Sequence, residues 1–253
     1  MSGAFSLDGR VAVVTGGASG IGVGICEVLA EAGATVIIAD RDSAAATRQA
    51  DALVAAGHVA SAAAIDVADE ASVARGCAGI VAEHGTPWLL VNNAGLQHRE
   101  LLLDATVGHW RRLSDVNALG PFLMIREIGR AMVAAGQGGR IVNCASSSLA
   151  GQFVQGLAAY MASKGALAAL TTASAFELAG HGITVNTVLP GGVGTPGAIG
   201  AEGPPPLGPG NRRPPLGMCA PRDIGAAVLF FATPAARLVT NQVLCVDGGF
   251  SVT

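Results

Sequence analysis

The sequence predicts an α/β fold, a doubly wound parallel sheet of about seven strands with helices on both faces. Three observations carry that prediction. Short apolar runs alternate with longer helix-like stretches along the whole of the 253 residues. The runs are continuously apolar, as strands buried on both faces are. Glycines such as Gly33 and Gly57 stand where helical stretches stop. Repeated βα units with right-handed crossovers then give one parallel sheet.

Each element follows from local pattern. Arg10–Thr15 (RVAVVT) reads as a buried strand, Ile21–Ala32 as a helix, and Ala34–Asp40 (ATVIIAD) as the second strand. Ser43–Ala56 is helical. Val59–Asp66 is Ala-rich and weak, but its position suggests a third strand. Glu70–Glu83 is a helix and Trp88–Asn92 the fourth strand; two helical stretches follow, before and after Asn117. Arg140–Ala145, Ile183–Leu189 and Gln242–Val246 are the remaining strands, and Ala158–Ala179 and Asp223–Ala232 the remaining helices. No linker divides residues 1–253, so a single domain is expected. Gly191 to Pro221 breaks the pattern, with Pro204-Pro205-Pro206 and Pro214-Pro215 excluding a regular helix. It reads either as a disordered surface insertion or as a mobile substrate lid. The lid is favoured because the segment follows the end of a parallel strand, where ligands bind in such sheets.

Composition excludes several classes. Hydrophobic residues are 51% and charged residues 13%, so the chain buries a core and is not disordered. A net charge of −3 offers no basic footprint for nucleic acid. The longest run of apolar bulk, Ala226 to Ala232, is far short of the roughly 20 residues a membrane span needs. Met1 to Arg10 lacks the pattern of a signal peptide. Five scattered cysteines without a CxxC read as free thiols, which fits a cytoplasmic protein. No HExxH or Cys/His cluster occurs, and no metal is expected.

After the first strand comes Thr15-Gly16-Gly17-Ala18-Ser19-Gly20-Ile21-Gly22. Gly16 permits a tight turn, Gly20 lets backbone approach a pyrophosphate, and Gly22 allows close helix–sheet packing. The helix start at Ser19 to Gly22 then offers unpaired N–H groups and a positive dipole end. Asp40, at the end of the second strand, suits the hydroxyls of an adenosine ribose and repels a 2′-phosphate. Ala18 supplies no positive charge. NAD is therefore favoured over NADP, with Arg41 as the counter-evidence.

Fourteen of the fifteen basic residues are Arg; the one Lys, Lys164, stands four positions after the one Tyr, Tyr160. On a helix both lie on one face, a turn apart. Taking a hydride off a carbinol requires its oxygen to lose a proton near neutral pH. A free phenol titrates near ~10, and a nearby cation lowers it. Tyr160 is thus a candidate general acid–base, with Lys164 as its cation.

The TGxxxGxG turn, Asn92-Asn93-Ala94-Gly95, Tyr160-Met161-Ala162-Ser163-Lys164 and Pro190-Gly191 come in an order that resembles the short-chain dehydrogenase/reductase family. The resemblance spans Leu7 to Val252. It implies a Rossmann-type fold and hydride transfer between NAD(P) and an alcohol or carbonyl. It also implies a serine that holds the substrate oxygen. Counting from the strand start points to Ser146, and counting back from Tyr160 points to Ser147. Asn117 resembles the residue that kinks a helix and holds a water leading from Lys164; its plain alternative is a helix N-cap. Asp66 and Val67 resemble the pair that meets the adenine, with a helix cap as the alternative for Asp66. Asn92, Asn93, Ala94 and Gly95 resemble the segment beside the adenosine ribose and the central sheet. Pro190, Gly191, Val193 and Thr195 resemble the stretch that holds the carboxamide and pyrophosphate. Such proteins usually form homotetramers.

The substrate pocket is poorly coded. Gln97, His98, Gln152, Phe153 and Gln155 are candidates to line it, and the glutamines suit the hydroxyls of a small alcohol, polyol or sugar-like substrate. A 3-oxoacyl-carrier-protein reductase is the alternative, disfavoured by Asp40 and by the absence of a basic patch near Ala131–Gln137. A non-enzymatic nucleotide sensor is less consistent with the retained Asn117, serine, Tyr160 and Lys164.

Overall fold

The computed structural model describes residues 3–195, 200 and 202–253. Seven parallel strands form one sheet: β1 (Val11–Thr15), β2 (Thr35–Asp40), β3 (Ala60–Ala64), β4 (Leu89–Asn92), β5 (Gly139–Cys144), β6 (Ile183–Pro190) and β7 (Val243–Val246). Their order is β3-β2-β1-β4-β5-β6-β7. The order reverses between β1 and β4, which opens a crevice at their carboxyl ends.

Helices α1 (Ile21–Glu31), α2 (Ser43–Ala55) and α7 (Pro221–Ala232) cover one face, where Ile25, Leu29, Leu53, Val228 and Phe231 are buried. Helices α3 (Glu70–His84), α5 (Gly120–Ala135) and α6 (Ala158–Leu178) cover the other, burying Val73, Ile80, Met124, Ile128 and Ala175. Helix α4 (Val107–Ser114) packs on α6. Strands β4, β5 and β6 are buried at every position, which is why they read as largely apolar runs, with Asn143 and Asn186 buried among them. β3 is an edge strand with no fully buried residue, which explains its weak alanine-rich signal.

Helix α7 begins at Pro221, two residues before the expected Asp223. Proline is tolerated at the first helical position, and the Asp223 carboxylate accepts the Ala220 N–H at 2.7 Å. Helices α1 and α7 approach closely at two glycines. A Cβ on Gly24 would lie 2.5 Å from the Pro221 carbonyl carbon, and one on Gly225 2.7 Å from the Gly24 oxygen. At the opposite end of the sheet from the crevice, the guanidiniums of Arg10 and Arg140 flank the Trp88 ring, 4.1 and 4.6 Å from its centroid. No helix among the described residues is long and apolar enough to cross a membrane.

Candidate active site

A cavity of about 530 Å³ opens at the carboxyl ends of β1, β4, β5 and β6. One wall is the glycine turn, with Gly16, Ser19, Gly20 and Ile21. A Cβ on Gly16 would lie 2.8 Å from the Ala94 Cα, and one on Gly22 would overlap the Gly16 carbonyl. These two positions therefore need glycine for the turn to close on its own helix. The N-terminus of α1 carries no side-chain cap and no acidic residue in its first turn. Its N–H groups stay available to a phosphate. This uncapped helix start, faced by glycine, fits the pyrophosphate of a dinucleotide.

The turn is clamped from β4. Asn93 Nδ2 donates to the Thr15 and Gly16 carbonyls at 3.0 and 3.1 Å. The N–H groups of Asn93 and Ala94 both donate to Thr15 Oγ1. Thr15 is thus a site-building residue, signalled in the sequence only by its place at the head of the TGxxxGxG turn. Asn92 points elsewhere. It is buried in the sheet and donates to Asn143 Oδ1 at 2.8 Å.

The Asp40 carboxylate accepts the Ala18 N–H at 3.3 Å and the Asp42 N–H at 3.1 Å, which holds it against the glycine turn. Beyond it, Arg41 and Asp66 share a second depression with Asp42, Ala64, Ile65 and Ser72. Asp66 is not the cap of α3. That place belongs to Asp69, which accepts the Ser72 N–H at 2.7 Å. Val67 lies outside both cavities, its side chain packed against Gly120. Pro190, Gly191, Val193 and Thr195 all line the main cavity. Thr195 packs over Gly20, so the loop after β6 faces the glycine turn across the crevice.

Tyr160, Lys164, Ser146 and Ser147 line the same cavity. Tyr160 and Lys164 are buried on one face of α6. Burial pushes the Tyr160 phenol up, and its hydrogen bond with the Ser146 hydroxyl pulls the other way. Burial lowers the Lys164 ammonium from 10.5 to about 8. The sequence argument expects Lys164 to lower the phenol; here desolvation prevails. The ammonium donates to the Cys144 carbonyl at 2.8 Å and sits 6.0 Å from the Tyr160 ring centroid.

Of the two candidate serines, Ser146 is the one whose hydroxyl acts on the Tyr160 phenol, favouring its ionised form. It also accepts the Ser148 N–H at 3.1 Å, starting a short 3₁₀ turn. Ser147 instead donates to Gln152 Oε1 at 2.7 Å.

Asn117 is fully buried in a π-helical turn, Asp115–Leu119, between α4 and α5. Such turns cluster at functional sites. It is not an N-cap: Thr106 caps α4 and Leu119 precedes α5. Its carboxamide accepts the Leu96 N–H at 2.8 Å and donates to the Leu96 carbonyl and to Ser163 Oγ, both at 3.0 Å.

Gln97, His98 and Gln152 line the cavity. Phe153 does not; its side chain is partly exposed and its carbonyl accepts the Gly210 N–H. Gln155 is also outside and donates to the Pro205 carbonyl. Within Gly191 to Pro221, the described residues Gly192, Gly200, Gly210 and Met218 add to the lining. Residues 196–199 and 201 of the expected lid lie outside the described residues.

A family model described as enoyl-(acyl carrier protein) reductase matches residues 16–251. The chain belongs to the short-chain dehydrogenase/reductase family. This short-chain dehydrogenase is 43% identical to galactitol 2-dehydrogenase (L-tagatose-forming) of Cereibacter sphaeroides, covering 98% of this chain and 97% of the relative. It superposes with a TM-score of 0.88 on a 3-ketoacyl-(acyl-carrier-protein) reductase from Brucella melitensis complexed with NADH, at 35% identity over 97% of this chain and 100% of the other. A gluconate 5-dehydrogenase from Burkholderia cenocepacia in complex with NADP and tartrate gives a TM-score of 0.86 at 32% identity, covering 98% of both chains. Solved neighbours of this short-chain dehydrogenase thus carry either nicotinamide cofactor.

Proposed function

We propose that this short-chain dehydrogenase is an NAD-dependent polyol dehydrogenase. It interconverts a secondary alcohol of a polyol or sugar-like substrate with the ketone. The observation that carries the reading is the convergence of Ser146, Tyr160 and Lys164 on one cavity that also presents Gln97, His98 and Gln152. The 43% identity to a galactitol dehydrogenase supports the substrate class. Asp40 supports NAD: a carboxylate held against the glycine turn by the Ala18 N–H repels a 2′-phosphate.

In this reading Tyr160 is the general base for oxidation and the general acid for reduction. Ser146 holds the substrate oxygen within reach of the phenol. Lys164 stabilises the phenolate and holds the nicotinamide ribose. Asn117 fixes the Leu96 backbone and, with a water, leads the proton from Lys164 to solvent. Gly16, Ser19, Gly20, Ile21 and Gly22 hold the pyrophosphate. Asp40 and Arg41 meet the adenosine, with Asp66 beyond them. Asn93, Ala94 and Gly95 lie beside the ribose, and Pro190, Gly191, Val193 and Thr195 hold the carboxamide side. When bound, the nicotinamide exchanges the hydride and, oxidised, adds a positive charge that favours the phenolate.

Residues 1–253 act as one catalytic domain, with 191–221 as its substrate lid. Exposed Phe122 and Phe176 on α5 and α6, and Val243 and Leu244 on β7, support a homotetramer. The five free cysteines support a cytoplasmic location. A panel of alcohols, polyols and ketones, assayed with NAD and NADP separately, tests the proposal. Turnover of polyols with NAD is expected, and a preference for NADP would overturn the Asp40 argument.

A further inference from the structure

Pro204, Pro205 and Pro206 stand in a row within the segment that follows β6. Prolines carry no N–H, so the run cannot bond to itself as a helix or ladder does. Its carbonyls are left to water and to donors outside the run, the Leu207 N–H reaching the Pro205 carbonyl at 2.8 Å. Successive carbonyls of an extended proline run point about 120° apart, so no single neighbour can serve all three. Here each meets a side-chain donor from a different place. Arg99 Nε donates to the Pro204 carbonyl and Gln155 Nε2 to the Pro205 carbonyl, both at 3.0 Å. Asn211 Nδ2 donates to the Pro206 carbonyl.

Backbone bonds flank the run. The Arg99 N–H donates to the Glu202 carbonyl at 2.9 Å, and the Gln155 N–H to the Leu207 carbonyl at 2.7 Å. The Gly210 N–H returns to the Phe153 carbonyl at 2.7 Å. A side chain at Gly203 would overlap the Arg99 carbonyl, so the two backbones touch there.

Arg99 directly follows Gln97 and His98, and Gln155 follows Gln152 and Val154; those four neighbours all line the cavity. Arg99 and Gln155 themselves do not. The proline run therefore bridges the two loops that present polar groups to the substrate. We infer that Pro204–Pro206 is a rigid strut that sets the spacing of these loops, and that Arg99 and Gln155 are positioning residues for the substrate. This rests on the polyol dehydrogenase reading only for the identity of that substrate. The strut is the fixed limb of the segment, because stiffness comes from the prolines and attachment from donors outside them. Loss of the Arg99 donor removes the side-chain tie to Pro204, and loss of the Gln155 donor leaves the Pro205 carbonyl only the Leu207 N–H at 2.8 Å; either change loosens one loop, which then hangs on its backbone bonds alone. Substrate binding then weakens while the Tyr160–Lys164 chemistry and the glycine turn are untouched.

The test compares wild type with Arg99→Met, Gln155→Leu and the conservative Arg99→Lys, using two readouts. The first is cleavage by a glutamate-specific protease after the exposed Glu202. The second is the Michaelis parameters for the best alcohol of the panel. In Arg99→Met and Gln155→Leu, cleavage speeds up about tenfold and KM rises about tenfold, while kcat and NAD affinity stay within about twofold. Arg99→Lys recovers part of both losses, because an ammonium still donates. Unchanged cleavage overturns the strut. Faster cleavage with unchanged KM, or a fall in kcat alone, overturns the positioning role. Gln155→Leu is the milder change and keeps the test if Arg99→Met fails to fold. A wild type that oxidises no polyol sinks the substrate reading alone, since the protease readout needs no substrate.

Discussion

Asn117 and Lys164 face each other across Gly95. A Cβ built on Gly95 would lie 3.3 Å from both Asn117 Oδ1 and Lys164 Nζ. Neither group has room to retreat: Asn117 is pinned to both backbone groups of Leu96, and Lys164 to the Cys144 carbonyl. Gly95→Ala is therefore expected to lower stability by about 1–3 kcal/mol, as overpacking does. In the proposed mechanism it also displaces the ammonium, and kcat falls about tenfold or more. Denaturant unfolding and steady-state kinetics on one variant read both effects.

Tyr160→Phe removes the one phenolic proton donor in the chain and its bond with Ser146. Turnover is expected to drop by about 10²–10⁴, the range of a lost general acid–base. NAD affinity, measured by fluorescence or calorimetry, should be kept. Unchanged turnover would remove Tyr160 from the mechanism.

The adjacent serines separate by partner. Ser146→Ala deletes the hydroxyl bonded to Tyr160, and kcat/KM should fall by about 10² or more. Ser147→Ala deletes only the tie to Gln152, and a loss within about tenfold is expected. A reversed order would exchange their roles.

Lys164 links pH to stability. Its folded value, about 8, lies below its ordinary 10.5 because burial disfavours the charge. The unfolded chain therefore binds the proton more tightly. Burying the ammonium costs stability below about pH 8, and that cost is released as pH rises from about 8 to 10.5. The full release is about 3 kcal/mol. The raised Tyr160 phenol opposes it only above its ordinary value of 10. Relative to Lys164→Met, wild type should gain stability between pH 8 and 10. A constant difference across that window would contradict the burial argument.

Asp40→Ser removes the carboxylate beside Ala18. In the proposed cofactor assignment, kcat/KM with NADP rises about tenfold or more as like-charge repulsion disappears, and the value with NAD falls. Paired assays with the two cofactors measure the ratio, and a ratio that stays put would place the discrimination elsewhere.

The strands were legible because β4, β5 and β6 are buried at every position and are mostly apolar, their few polar residues being buried as well: Asn92 and Asn143, for example, pair with each other. The glycine stops were legible for a similar reason, since Gly33 and Gly57 adopt φ near +90° where other residues strain. The site was legible only as far as spacing dictates contact. Tyr160 and Lys164 share a helix face, so a count of four brought them together. Ser146 and Ser147 differ by the start of a 3₁₀ turn, which counting along the chain does not reveal. The π-helical turn around Asn117 was legible only through the family resemblance, which implies a helix kink there, because the local sequence Asp115–Leu119 carries no pattern of its own. Phe153 and Gln155 were read as cavity residues from proximity to the serines. Instead Gln155 bonds to the proline run, a partner fifty residues away, and the Phe153 carbonyl takes the Gly210 N–H just beyond it.

The crossing of α1 and α7 has a consequence for how this scaffold diversifies. With Gly24 against Pro221 and Gly225 against Gly24, the helix that starts at the glycine turn and the helix that follows the Gly/Pro-rich segment meet backbone to backbone. Insertions or exchanges between Thr195 and Pro221 start and finish on fixed anchors. Cofactor use and substrate choice thereby become separable properties. The segment is a natural graft point for engineering new alcohol preferences, whereas any side chain larger than hydrogen at Gly24 would disturb both ends of the molecule at once.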